Sequence, residues 1–261
     1  RLVAAEHEEL EHGSPALSGN LVDTLIGGGL DRGTSTLLIG PSGVGKSTIA
    51  SSYCHAALGR GERVLVLLFD EIKRIFLARA AGVGMDLEPF VGTGMLSLEQ
   101  INPAELSPGE LSSRIQAAVD ELGAKMVVID SLTGYLNAMS EDQHLVLQMH
   151  EILTYLNQKG VVTLLLLANH GLIGQIATPV DMTYLCDAVM LLRFFESGGR
   201  IRRAISVVKK RVGPHEDTIR EFSIAGSGIS VGEPLDQFRG ILTGLPFFEG
   251  KQSDLLKDRA S

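Results

Sequence analysis

The sequence predicts an α/β domain, a mostly parallel sheet flanked by helices with an antiparallel extension at the C-terminal side. Three observations carry that prediction. Short apolar runs alternate with helical patterns from residue 36 to residue 167, as repeated strand–helix–strand crossovers require. The runs are apolar throughout, the mark of parallel strands covered on both faces. After residue 186 the strands at 188–195, 201–210 and 219–224 follow one another with only turn residues between them, Ser197-Gly198-Gly199 and then Gly213-Pro214, which reads as antiparallel pairing at one sheet edge.

The elements follow in order. Gly27-Gly28-Gly29-Leu30-Asp31-Arg32-Gly33 supplies the tight turns that lead into a strand at 36–39. A helix over 47–58, closed by Gly59 and Gly61, and an apolar run at 64–69 complete a first strand–helix–strand unit. Helices at 72–81 and 110–122 alternate with strands at 95–98 and 126–129. An amphipathic helix over 141–157 then carries Leu145, Met149, Ile152, Leu153 and Leu156 on one face, and a very apolar strand at 161–167 follows. Right-handed crossovers are expected throughout.

The chain has 261 residues, 44% of them hydrophobic and only 5% aromatic, so burial must come from Leu, Val, Ile and Ala. A net charge of −8 opposes a nucleic-acid backbone and argues against nucleic acid as a partner. Cys54 and Cys186 lack a paired spacing and read as buried small hydrophobes in a reducing, cytoplasmic setting. No run reaches the roughly 18 apolar residues of a spanning helix, so no membrane partner is expected. The acidic opening, with Glu6, Glu8, Glu9 and Glu11, suggests a linker or the tail of a preceding domain over 1–17, then one domain over 18–245 and a C-terminal tail over 246–261.

The chemistry begins at Gly40-Pro41-Ser42-Gly43-Val44-Gly45-Lys46-Ser47, which fits the phosphate-loop pattern G-x-x-x-x-G-K-[ST] between a strand and a helix. Backbone amides of Ser42, Gly43, Val44, Gly45, Lys46, Ser47 and Thr48 would surround phosphates at a helix N-terminus. Lys46 would reach the β and γ oxygens, and the Ser47 hydroxyl would hold Mg²⁺. The strand at 126–129 ends in Asp130, a carboxylate placed to hold a water on that ion. Asp70 and Glu71 end the strand after the phosphate-loop helix. Ligands of open α/β sheets lie outside the carboxyl ends of the strands, so these two are candidate catalytic carboxylates that orient a water. ATP and Mg²⁺ are the cofactors this set implies, and ATP hydrolysis is the expected reaction.

A phosphate loop, a carboxylate pair on the next strand and an aspartate on a later one, with the glycine-rich segment ahead and Ile219-Arg220-Glu221-Phe222 behind, resemble the KaiC family of RecA-like ATPases. The resemblance spans residues 18 to 245. It implies a RecA-like fold, a homo-oligomer that is a hexameric ring, ATP held between neighbours, slow hydrolysis and a role in signalling or timekeeping with regulatory protein partners. It also places Arg203, Lys209, Lys210, Arg211 and His215 on the neighbour's nucleotide and makes Asn169 a γ-phosphate sensor. Thr183 falls on one phosphoacceptor position, whereas Tyr184 replaces the other. Asp70 stands where the family usually has a first glutamate, and its shorter reach counts against phosphorylating a hydroxyl more than against hydrolysis. A nucleic-acid motor and a non-hydrolysing, ATP-dependent assembly module are the competing readings. The other histidines show no spacing suited to a metal.

Overall fold

The computed structural model describes residues 21–102, 105, 107–138, 144–169, 182–242 and 247–248. The expected segment at 1–17, His170 and nearly all of the expected tail at 246–261 lie outside the described residues, as does the predicted start of the helix at 141–143. Among the described residues, the predicted fold class holds: a nine-stranded, mostly parallel sheet with helices on both faces and an antiparallel extension.

The strands are β1 (Ser35–Gly40), β2 (Arg63–Leu68), β3 (Leu96–Gln100), β4 (Ala124–Asp130), β5 (Val162–Ala168), β6 (Ala188–Ser197), β7 (Arg200–Lys210), β8 (Arg220–Ala225) and β9 (Gly228–Pro234), and they lie in the order β3-β2-β4-β5-β1-β6-β7-β8-β9. β1 is therefore central. It pairs in parallel with β5 on one side and β6 on the other, while β4 and β5 separate it from β2. The antiparallel part begins one strand later than expected, at β7, because β6 runs parallel to β1 and is buried over most of its length.

Helices α1 (Lys46–Gly59) and α2 (Lys73–Ala81) cover one face. Ile49, Tyr53, Cys54 and Phe76 pack there on Leu38, Val66, Val128 and Leu164. On the other face lie α4 (Pro108–Asp120), α5 (Leu132–Ala138) and α6 (His144–Gln158), whose Ile115, Leu136, Met149 and Leu153 meet Leu37, Leu65, Val127 and Leu165. Neighbouring strand residues thus enter different cores, the period of two that a double-covered sheet imposes. Both cysteines are buried and free.

The structure adds α3 (Glu88–Gly92), α5 and β9 to the predicted elements. The short α5 contains a glycine, and β9 is mostly half-buried or exposed without strict alternation, so neither carries a strong periodic signal. Helix α4 starts at Pro108, before the expected residue 110, because Ser107 Oγ accepts from the Glu110 amide at 3.3 Å and a proline suits the first turn. A two-stranded ribbon of β10 (Phe238–Arg239) and β11 (Phe247–Phe248) completes the described part, where Phe238 meets Phe195 edge-on.

Candidate nucleotide site

The carboxyl ends of β1, β2, β4 and β5 converge on a cavity of about 660 Å³. Ser42, Gly43 and Gly45 line it from the loop between β1 and α1, and Lys46, Ser47 and Thr48 from the first turn of α1. Val44 differs, since its side chain is wholly buried in the core and it can offer a ligand only its backbone. Gly45 has a φ of +116°, so the backbone conformation itself demands glycine at the start of α1, and a Cβ there would also press on Ile224 Cδ1 at 2.6 Å.

Lys46 is 7% exposed, and its Nζ donates to the carbonyls of Gly40 at 2.7 Å and Pro41 at 2.9 Å. Burial lowers its pKa to about 8, against the opposing pull of the Asp130 charge. Asp130, at the end of β4, is also buried. Its carboxyl is pushed up, chiefly by burial and further by Asp70, while a hydrogen bond from Ser47 and the charges of Arg79 and Lys46 draw it down. Asp130 Oδ2 is buried without a hydrogen-bond partner. A hydroxyl and a carboxylate already in contact, one with unused acceptor capacity, form the hard oxygen set that suits Mg²⁺. Among the described residues no cluster of three His, Cys, Asp or Glu offers another metal site.

The two carboxylates after β2 have different surroundings. Asp70 Oδ2 accepts from the Ser131 hydroxyl, and Asp70 Oδ1 lies so close to Gly134 of α5 that a Cβ there would sit 2.7 Å away. Glu71 turns toward α2, where its Oε1 accepts from Arg79 Nη1 at 2.8 Å. Burial raises the Glu71 pKa, the Arg79 charge and hydrogen bond pull it back, and Asp130 adds a smaller upward push.

A glycine-rich loop with a buried lysine and an acidic partner at the strand ends is the arrangement of a phosphate-loop domain, and a family model described as "ATPase: KaiC" matches residues 20–236 of the chain. The chain belongs to the KaiC family. It is 27% identical to the circadian clock protein KaiC3 of Synechocystis over 228 residues, 87% of this chain and 45% of that one. Identity is 25% with KaiC2 of the same organism, over 92% of this chain and 42% of the relative. With the circadian clock oscillator protein KaiC of Synechococcus elongatus it is 24%, over 86% and 43%. The chain spans about half the length of the curated relatives it matches.

The remaining predicted residues of this KaiC-family chain divide into two groups. Arg203 lines the chain's own cavity, because β7 lies only two strands from β1; its guanidinium sits 5.7 Å from the Phe194 ring and its Nε is buried without a partner. Asn169 follows β5 beside the cavity, with its backbone N–H donating to the Gly40 carbonyl at 3.3 Å and its side-chain Oδ1 buried and unpartnered.

Lys209, Lys210, Arg211, His215 and Thr183 do not line the cavity. They gather toward the opposite end of the parallel strands, where Lys210 pairs with Ala188 and Asp187 bonds the Ser35 amide at the start of β1. Lys209 Nζ donates to the carbonyls of Thr183 and Cys186, and Lys210 Nζ donates to the Ile26 carbonyl and meets Asp31 at 3.1 Å. Arg211 binds Asp187 and the Tyr184 carbonyl, whereas His215 is exposed.

Sequence reasoning missed Arg79. It is one of three basic residues in α2, and nothing in its local pattern names a partner. The available signal was position: Ile72, Ile75 and Arg79 recur at helical spacing directly after the Asp70-Glu71 pair, and all three line the cavity.

Proposed function

We propose that this KaiC-family chain binds ATP with Mg²⁺ at its phosphate loop and hydrolyses it to ADP and phosphate. The observation that carries the reading is the buried Asp130, in contact with Ser47 and within the field of Lys46, with an oxygen left over for a ligand. Ser47 and Asp130 would hold the ion, which when bound neutralises charge on the phosphates. The loop amides and Lys46 bind the β- and γ-phosphates. A water oxygen attacks the γ-phosphorus, the bond from that phosphorus to the β–γ bridging oxygen breaks, and Glu71 takes the water's proton. Asp70, braced by Ser131 and Gly134, shapes the wall beside it. Asn169 senses the γ-phosphate, and Arg203 adds positive charge from the same subunit.

The active assembly in this reading is a homo-oligomeric, hexameric ring acting in signalling or timekeeping. Support comes from placement. Lys209, Lys210, Arg211 and His215 lie a β1 length, roughly 17 Å, from the chain's own phosphate loop, so they can meet a nucleotide only across an interface. Transfer to Thr183 needs a neighbour's nucleotide for the same reason. Native mass spectrometry with ATP and Mg²⁺ tests the proposal through oligomer mass, nucleotide occupancy and added phosphate. A monomer that hydrolyses ATP at full rate would remove the shared-site reading, and failure to bind adenine nucleotide would remove the whole.

A further inference from the structure

A glutamate meant to take a proton from water faces two difficulties in a closed site. Burial favours its neutral form, and its three rotatable bonds let the carboxylate swing away from the water. A fixed cation on one carboxylate oxygen addresses both, provided the other oxygen stays available.

We propose that Arg79 is the positioning residue that does this for Glu71, in the same subunit. The inference rests on the reading of Glu71 as the base. The contact is single and end-on: Nη1 donates to Oε1 at 2.8 Å, and among the described residues it is the one hydrogen bond of the Glu71 carboxylate. Oε2 is left to accept from a water. Arg79 is itself held, because its guanidinium carbon lies 5.3 Å from the ring centre of Phe76, a residue with no exposed surface, three positions earlier on α2. Its Nε and Nη2 are buried without partners, so the stack on Phe76 and the single bond to Glu71 set where the guanidinium sits. Ile72, just before α2, and Ile75 on its first turn line the cavity beside the pair. Among the described residues Asp70 has no such cation: one oxygen accepts from Ser131 and the other packs on Gly134. The neighbouring carboxylates are thereby given different tasks by the elements they touch.

The test compares the full chain with Arg79→Ala, Arg79→Lys, Glu71→Gln and the double variant Glu71→Gln/Arg79→Ala. Steady-state ATP turnover and calorimetric binding of a non-hydrolysable ATP analogue with Mg²⁺ are both read. Arg79→Ala should lower kcat by about 10- to 100-fold, with KM and analogue affinity changed by no more than about twofold. Arg79→Lys restores the charge without the planar fork and should recover part of kcat. The double variant should be no slower than Glu71→Gln, because the arginine acts only through the glutamate.

Three results overturn the inference: kcat unchanged or raised in Arg79→Ala, a KM increase at constant kcat, or a double variant slower by the product of the single effects. Should Arg79→Ala lose its melting transition, Arg79→Gln keeps the stem on Phe76 and takes its place. A wild type that does not turn over, or a Glu71→Gln variant that does so normally, removes the base assignment and this inference together. That outcome is recognised without any Arg79 variant.

Discussion

The two ends of the parallel strands carry similar side chains in opposite conditions. At the carboxyl ends, Asp130 Oδ2, Asn169 Oδ1, Arg203 Nε and two nitrogens of Arg79 are buried with no partner. At the amino ends the charges are mutually satisfied: Lys209 on two carbonyls, Lys210 on a carbonyl and Asp31, Arg211 on Asp187, and Asp187 on Ser35. An unpaired buried polar group costs about 1–3 kcal/mol, so a chain keeps a cluster of them only where something else compensates. The first end is built for a ligand that supplies the missing partners. The second holds the fold together first, and any contact it makes with a neighbouring subunit must compete with bonds already made.

The largest effects should therefore come from the first end. Lys46→Ala removes the cation proposed to bind the phosphates and should reduce ATP turnover by about 100- to 1,000-fold, measured as phosphate release at saturating Mg²⁺. Retained turnover in that variant would move the chemistry elsewhere. Glu71→Gln should lose a comparable factor, about 100-fold or more, while still binding nucleotide in a filter or calorimetric assay. The pair separates binding from proton transfer at one site.

How far the sequence foretold this contrast depends on whether a role is local. The placement of Lys46 and Ser47 in the cavity was legible because strand, loop and helix follow each other in the chain, and that of Asp130 because it ends a wholly apolar parallel strand. The parallel pairing of β6 with β1 was not, since a buried apolar strand reads the same in either direction. Arg79 was hidden for another reason: its partner is eight residues away on a different element, and basic residues on a helix surface are common. Arg203 and Lys210 lie on one strand, yet their neighbours separate them, one lining the cavity and the other tied to Ile26 and Asp31. Only strand order supplies those neighbours.

A smaller effect should appear with pH. Nucleotide phosphates favour protonated Lys46, whose pKa without nucleotide is about 8. ATP affinity should be level below pH 8 and then fall by up to about tenfold per pH unit above it. The stability of the nucleotide-free chain should move the other way. The folded pKa of about 8 lies below the unfolded value of 10.5, so the unfolded chain holds the extra proton between them and stability rises with pH across that window. Calorimetric titrations at pH 7, 8 and 9 check the first trend and denaturant melts over pH 7 to 10 the second. Parallel slopes in the two would detach both trends from this lysine.

The smallest effects belong to the satisfied end, and they test whether its bonds are structural. The Lys210 side chain is 7% exposed, but its partner Asp31 is 38% exposed, so solvent screens much of the ion pair and the Ile26 carbonyl matters more. Lys210→Ala should cost about 1–2 kcal/mol in a denaturant melt, largely by stripping that carbonyl of its donor. His215→Ala, at an exposed position, should stay within about 0.5 kcal/mol of the parent. Neither should change nucleotide affinity in a dilute sample where the chain is monomeric. A drop in turnover for His215→Ala that grows with protein concentration would give this end a second duty at an interface. If Lys210→Ala instead weakened ATP binding by the monomer, the two ends of the sheet would be energetically joined and the division between them would fail.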